Sequence, residues 1–257
     1  MGAQIALVCA ETTSMGMRTA NEDAMGRAEQ DALSCFVLSD GAGGHEAGEV
    51  AAAIVVECVM RTFVKDAAFA PRAMKAYIDM AVAAVSASKR DAAHPSDMSA
   101  TVATLLIDRS NARALWAHLG DTRIYWFRDD KIVRITKDHS MAQQFIDAGY
   151  AKRDELRIHP QRNILFAAIG GESETPPEIT QEVVTIKAGD VFLMCTDGFW
   201  EWVLEADMER TLALANTSEE WLAAMSRIAD GNVGATRKIR DNYSVYAIWV
   251  QAPGADA

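Results

Sequence analysis

Two apolar runs in this chain end in Asp-Gly, and their aspartates are the residues best suited to chemistry. The first is Phe36-Val37-Leu38-Ser39-Asp40-Gly41-Ala42-Gly43-Gly44-His45. The second is Val191-Phe192-Leu193-Met194-Cys195-Thr196-Asp197-Gly198. The apolar halves read as short buried strands, so each carboxylate falls at a strand end where the backbone turns toward solvent. Gly41, Gly43 and Gly44 allow a sharp turn and bring backbone carbonyls and amides close to a bound ion or ligand. Further acids occupy similar junctions: Glu22 and Asp23 in Arg18-Thr19-Ala20-Asn21-Glu22-Asp23, Asp121 in Leu119-Gly120-Asp121-Thr122-Arg123, and Asp241 in Arg240-Asp241-Asn242. Gathered carboxylates repel one another and take up protons unless cations hold them together. The expected chemistry is a hard, oxygen-ligated metal site for Mg²⁺ or Mn²⁺. A lone strand-end aspartate is more often a turn former or helix cap. For Asp40, Asp197 and Asp241 together the metal reading is the stronger one. Asp121 also suits an ordinary hairpin corner, and Arg18 also suits a structural salt bridge to Glu22 or Asp23.

The composition narrows the partners. Of 257 residues, 25 are Lys or Arg and 36 are Asp or Glu, a net charge of −11. That balance argues against non-specific binding to nucleic acid or to an anionic membrane. Hydrophobic residues make up 50% of the chain, ample for a core. Cys9, Cys35, Cys58 and Cys195 lie far apart inside apolar stretches, with no zinc spacing. Buried reduced thiols suit a reducing cytosol. No secretory signal and no apolar run near the ~20 residues of a membrane span is visible. A cytoplasmic location follows as the expectation, with a monomer as the default because no assembly motif stands out.

The elements that must position these acids alternate in type along the chain. Gln4 to Ala10 reads as a strand, Arg18 to Asp23 as a polar loop and Leu33 to Asp40 as a second strand. Glu46 to Lys65 has helical periodicity, and Pro71 opens a second helix to about Arg90. Asp91 to Met98 is a loop with Pro95. Strands are then expected over Thr101 to Asp108 and Ala112 to Leu119, followed by a hairpin of Thr122 to Phe127 and Ile132 to Thr136 around Arg128-Asp129-Asp130-Lys131. This meander is hard to reconcile with a doubly wound sheet. Lys137 to Tyr150 returns to helix with Asp138 or Ser140 as its cap, and Ala151 to Asn163 is polar and irregular. Ile164 to Ile169 and the run from Val191 read as strands, Trp200 to Asn216 as helix. Thr217-Ser218-Glu219-Glu220 is a capping box for a last helix through Asp230, and Tyr243 to Val250 is a closing strand. No linker or repeat divides the chain. One α+β domain over 1–257 is expected, with a core of about 12–250.

The set Arg18…Asn21-Glu22-Asp23, Ser39-Asp40-Gly41-Ala42-Gly43-Gly44, Ser99-Ala100-Thr101, Gly120-Asp121-Thr122-Arg123, Thr196-Asp197-Gly198 and Asp241-Asn242 resembles the metal-dependent Ser/Thr protein phosphatases of type 2C (PPM). The elements run in the family's order from about Thr12 to Val250, and the chain is most similar to the compact bacterial branch. The resemblance implies a central β-sandwich of two antiparallel sheets flanked by helices on both faces, a four-layer α-β-β-α arrangement. It also implies a two-metal centre of Mn²⁺ or Mg²⁺ at one end. There Asp40 bridges the metals, the Gly41 carbonyl binds one of them, and Asp197 and Asp241 complete the other. Glu22 and Asp23 act through metal-bound water, Asp121 with Asp197 holds a third, weaker ion, and Arg18 holds the substrate phosphate. About Met141 to Asn163 corresponds to the family's mobile flap. The implied partners are phosphorylated proteins and a Ser/Thr kinase pathway, with secretion or envelope regulation as its setting.

The implied chemistry is coherent on physical grounds. Two cations neutralise a phosphomonoester dianion and lower the pKa of a bridging water, and an arginine fork suits paired phosphate oxygens. One departure matters. Many eukaryotic members carry a histidine directly after the Asp-Gly, where this chain has Ala42, so the general acid is unassigned. His45, His139 and His159 are candidates, each with packing as the simpler role. Two other function classes stand beside the phosphatase: a non-catalytic binding module on the same fold, and a metal-dependent hydrolase of small phosphoesters.

Overall fold

A computed structural model describes residues 4–42, 46–91, 98–173, 175–236 and 238–254. Gly43, Gly44 and His45 of the first motif, and Pro95, lie outside the described residues. Among the described residues the strands are β1 (Ala6–Ser14), β2 (Asp23–Gln30), β3 (Leu33–Ala42), β4 (Ser99–Ala100), β5 (Val102–Asp108), β6 (Arg113–Leu119), β7 (Arg123–Arg128), β8 (Lys131–Ile135), β9 (Glu178–Ile179), β10 (Val184–Thr185), β11 (Val191–Cys195) and β12 (Tyr243–Gln251). The helices are α1 (Glu46–Lys65), α2 (Pro71–Asp91), α3 (Met141–Asp147), α4 (Asp197–Trp200), α5 (Glu205–Leu212) and α6 (Ser218–Gly234).

The strands form two sheets, β1-β12-β11-β7-β8 and β10-β6-β5-β3-β2, with β4 on β3 and β9 on β6. Every pairing is antiparallel. Successive side chains of a strand point to opposite faces, and in this fold both faces are covered. In β3, Phe36 and Leu38 point into the layer between the sheets, where they meet Leu105, Trp116, Phe192, Tyr246 and Ile248. Cys35 and Val37 point outward against Val55, Val59, Met74 and Ile78 of α1 and α2. The other sheet is covered by α4, α5 and α6 through Phe199, Trp200, Met208, Trp221 and Met225. Burial on both faces explains why the central strands read as continuous apolar runs. The four layers are those of the implied sandwich.

Several elements differ from the sequence reading, each for a physical reason. β2 is an edge strand whose partly exposed residues, Asp23 to Gln30, carry no apolar run to announce it. β3 does not end at Asp40. It continues to Ala42 because Gly41 and Ala42 pair with Ala100 and Ser99 of β4. Residues 164–169 are not a strand and make only isolated bridges, Leu165 with Ser140 and Ile169 with Ala100. Ser140 caps α3, its hydroxyl accepting from the Gln143 amide. The helix spans only Met141–Asp147, because Asp138 is taken up by Arg123 and the His139 amide by the Gly120 carbonyl. The β7–β8 turn has Asp129 and Asp130 at φ 51° and 60°, the left-handed pair that a two-residue hairpin requires.

Candidate metal centre

Antiparallel register carries the acidic residues to one end of the sandwich. Asp23, the first residue of β2, is the register partner of Asp40 on β3. Asp121 lies in the connection from β6 in one sheet to β7 in the other. Asp197 follows β11 and opens α4, and Asp241 stands two residues before β12. Asp40 and Asp197 do not share a sheet. They belong to opposite sheets, and the mouth of the sandwich brings them together.

Side chains beside the acids hold this end in shape. The Asp40 amide donates to Thr101 Oγ1 at 2.9 Å, and the Thr101 amide returns a bond to the Asp40 carbonyl at 2.8 Å. The Thr101 hydroxyl shares a further hydrogen bond with that of Thr122 at 2.6 Å. Thr196 Oγ1 donates to Asp23 Oδ2 at 3.0 Å, tying the strand before Asp197 to the other sheet. Asn242 links three segments. Its Nδ2 donates to the carbonyls of Met15 and Ala20, and its Oδ1 accepts from the Glu22 amide at 2.9 Å. Backbones approach closely at the glycines that flank the acids. A Cβ on Gly198 would lie 2.0 Å from the Asn242 carbonyl oxygen, and one on Gly41 would lie 2.4 Å from the Gly48 carbonyl carbon. Asn242, Thr101 and Thr196 thus position the site although none of them bears charge. In the sequence, Thr196 and Asn242 are marked by adjacency to Asp197 and Asp241, and Thr101 by the Ser99-Ala100-Thr101 element.

The electrostatics match a site short of positive charge. Burial, followed by repulsion from Asp23, Asp197, Asp121 and Asp241, raises the Asp40 carboxyl well above the ordinary carboxylate range. Asp197 is raised in the same way by burial and by Asp121, Glu201, Asp241 and Asp23. Burial pushes Asp23 up to about 7, with Asp241 and Glu22 adding to the rise and the Ser244 and Thr196 hydroxyls opposing it. Burial also takes Asp121 to about 7, with Asp138 raising it and Arg123 lowering it. Of the five aspartates, only Asp241 has an ion-pair partner among the described residues, and that partner is Arg18 at 2.5 Å. Asp23 Oδ1 is buried with no hydrogen-bond partner. Buried carboxylates that repel each other, an orphaned carboxylate oxygen and an all-oxygen donor set fit hard divalent cations.

A different group places three ligand-type atoms within 4.8 Å of each other: His118, His139 and Glu178. Its hydrogen bonds make it a poor metal site. His139 Nδ1 accepts from the Gly120 amide at 3.0 Å, so the neutral ring carries its proton on Nε2, the atom facing Glu178. Burial and the neighbouring His118 push His139 down to about 4. It stacks on His118 with ring centroids 4.8 Å apart. His139 is therefore a packing histidine and not a proton donor at neutral pH. His159 stacks on Phe145 and accepts the Gln161 amide through Nδ1.

The segment expected as a flap holds α3 and a short 3₁₀ turn, Arg153–Ile158. Arg157 anchors it by donating to the carbonyls of Trp200 and Val203 and to Glu205, and Arg162 pairs with Glu201. Trp200 in turn donates its indole N–H to the Asp121 carbonyl at 2.9 Å. The flap segment is thereby linked to the connection that carries Asp121. A groove of about 1030 Å³ lies between this segment, β8 and α5, lined by Ile135, Ile146, Leu156 and Leu204 among others, and the metal-site aspartates are not part of its lining.

Comparison with known proteins shows the family and the fold. The family model described as "Protein phosphatase 2C" matches residues 15–242. The serine/threonine phosphatase stp of Listeria innocua is 28% identical over 208 residues, 79% of this chain and 82% of that protein. The solved structure of the phosphatase Stp1 from Staphylococcus aureus superposes with a TM-score of 0.86 at 25% identity, covering 98% of each chain. The catalytic domain of the phosphatase PstP, solved in complex with two manganese ions, superposes with a TM-score of 0.80 at 25% identity, covering 96% of this chain and 99% of that one.

Proposed function

Because residues 15–242 belong to the protein phosphatase 2C family, this chain is a protein-serine/threonine phosphatase, and we propose that it dephosphorylates phosphoserine and phosphothreonine in proteins with two divalent metals held by the Asp40 cluster. The observation that carries the assignment of the site is the convergence of Asp23, Asp40, Asp121 and Asp197 at one end of the sandwich, with Asp23 Oδ1 orphaned and no ion-pair partner for any of the four among the described residues. In this reading Asp40, the Gly41 carbonyl, Asp197 and Asp241 would hold Mn²⁺ or Mg²⁺. Asp23 and Glu22 would support them through water, and Asp121 with Asp197 would hold a third ion. The manganese pair in PstP supports the choice of metal. When bound, the metals neutralise the phosphate dianion and supply a nucleophile from water at neutral pH.

The chain's own residues do the rest. Arg18 offers its guanidinium fork to the phosphate oxygens from a half-exposed position beside Asp241. Thr101 and Asn242 fix the backbone on which Asp40 and Glu22 stand. Ala42 offers no acid for the leaving oxygen, His139 and His159 have packing roles, and His45 lies outside the described residues.

Unpaired cysteines, three of them buried, suit a cytoplasmic setting, and no helix among the described residues is long and apolar enough to cross a membrane. The reading extends to a monomer whose counterpart is a bacterial Ser/Thr kinase, with secretion or envelope regulation as its setting. Comparing kcat/KM on phosphothreonine peptides with that on sugar phosphates tests the substrate class. A preference of tenfold or more for the peptides is expected, and a preference for the small esters would overturn it.

A further inference from the structure

Met15 and Met17 flank the tip of the loop that carries Arg18, and both side chains stand in solvent, 51% and 59% exposed. Ile239, two residues before Asp241, is 67% exposed. Single exposed apolar residues are ordinary. Met15 and Met17 differ in sitting on a turn that carries Arg18 and is hydrogen-bonded to Arg240, the residue after Ile239. The Arg18 amide donates to the Met15 carbonyl at 3.0 Å, closing a turn over Met15–Arg18 with Gly16 at φ 58°. The Met17 amide donates to the Arg240 carbonyl at 3.0 Å, and Asn242 Nδ2 to the Met15 carbonyl at 2.9 Å. Gly16 packs so closely on this strand approach that a Cβ there would lie 2.2 Å from the Asp241 carbonyl oxygen. The turn is therefore tied to residues 240–242, with Ile239 next in the chain, so that exposed apolar side chains stand on both segments.

We propose that Met15, Met17 and Ile239 form a docking rim for a large apolar residue flanking the phosphorylated Ser or Thr of the substrate. This rests on the phosphatase reading above and adds the sequence class of the substrate. A peptide whose phosphate reaches Arg18 must lay its neighbouring residues across this rim. Unbranched, polarizable methionine side chains adapt to apolar partners of different shape. The chain's net charge of −11 disfavours a peptide with acidic flanks. The fixed backbone means that binding orders side chains only, which keeps its entropic cost low.

The experiment uses three phosphothreonine peptides that differ only in the residues flanking the phosphothreonine: leucine, serine or glutamate. Each is assayed with Mn²⁺ beside p-nitrophenyl phosphate, which has no flanks. The protein is tested as wild type, Met17→Ser, Ile239→Ser and Met17→Leu. The wild type should favour the leucine peptide over the serine peptide by about tenfold in kcat/KM, and the glutamate peptide should be poorest. Either serine variant should cut the leucine-to-serine ratio by about threefold or more, while Met17→Leu keeps it. The ratio is internal to each variant, so partial loss of folded protein does not move it. Equal rates on the leucine and serine peptides, or a ratio untouched by both serine variants, would overturn the docking rim alone. Failure to hydrolyse any substrate, p-nitrophenyl phosphate included, would overturn the phosphatase reading and the rim with it.

Discussion

The Arg18 guanidinium and the Asp241 carboxylate meet at 2.5 Å from positions 223 residues apart in the chain. Asp241 Oδ2 accepts from Arg18, and Oδ1 accepts from the Asn242 amide at 2.8 Å. The residue proposed to hold phosphate is thus oriented by a residue proposed to hold metal. For Arg18→Ala we expect KM for a phosphothreonine peptide to rise about tenfold or more, with a smaller change in kcat, because one charge-assisted fork is lost. Arg18→Lys should recover part of the loss, since it keeps the charge without the fork. An unchanged KM would remove Arg18 from the substrate site.

Asp40→Asn and Asp197→Asn should each lower kcat by about a thousandfold or more. The same substitutions should leave the metal-free fold as stable as before, or more stable. Both carboxyls have folded pKa values raised above the ordinary carboxylate range. Ionising them at neutral pH therefore costs stability, and a neutral amide removes that cost. Thermal unfolding in EDTA beside initial rates in Mn²⁺ checks both halves. A variant with near-normal rates, or one that loses stability in EDTA, would contradict the assignment.

Metal should stabilise the native state measurably. At a Mn²⁺ concentration 100 times its Kd the gain is about 2.7 kcal/mol for one site, read as a rise in Tm with added metal. The rise should shrink in Asp40→Asn. A Tm independent of metal in the wild type would argue against a preformed site.

Gly198→Ala should destabilise by about 3 kcal/mol or more. Its Cβ would fall 2.0 Å from the Asn242 carbonyl oxygen, a backbone atom that cannot swing aside. Denaturant unfolding measures this. A loss below about 1 kcal/mol would mean that the backbone around Asp241 and Asn242 yields more easily than this packing implies.

Much of this arrangement was legible from the chain. Runs buried on both faces, such as Phe36 to Leu38 and Val191 to Cys195, announce themselves by composition, and the Asp-Gly pairs at their ends mark where the backbone leaves the core. The edge strand β2 was not legible, because Asp23 to Gln30 bury too little apolar surface to leave a pattern. The extension of β3 to Ala42 depends on pairing with β4, a partner 57 or more residues away that local pattern does not reveal. The same holds for the Arg18–Asp241 pair. The sequence offered Arg18 a partner in its own loop, Glu22 or Asp23, whereas its ion pair is made with Asp241 across the chain. The supporting hydrogen bonds of Asn242, Thr101 and Thr196 are tertiary in the same sense.

The measurement that tests the central claim most directly is phosphate release from a phosphothreonine peptide by the purified protein, run in Mn²⁺ and in EDTA, with Asp40→Asn alongside. The account predicts hydrolysis that requires the metal and falls to background in the variant. Undiminished hydrolysis in EDTA, or an inert wild type that is folded and metal-loaded, would contradict it.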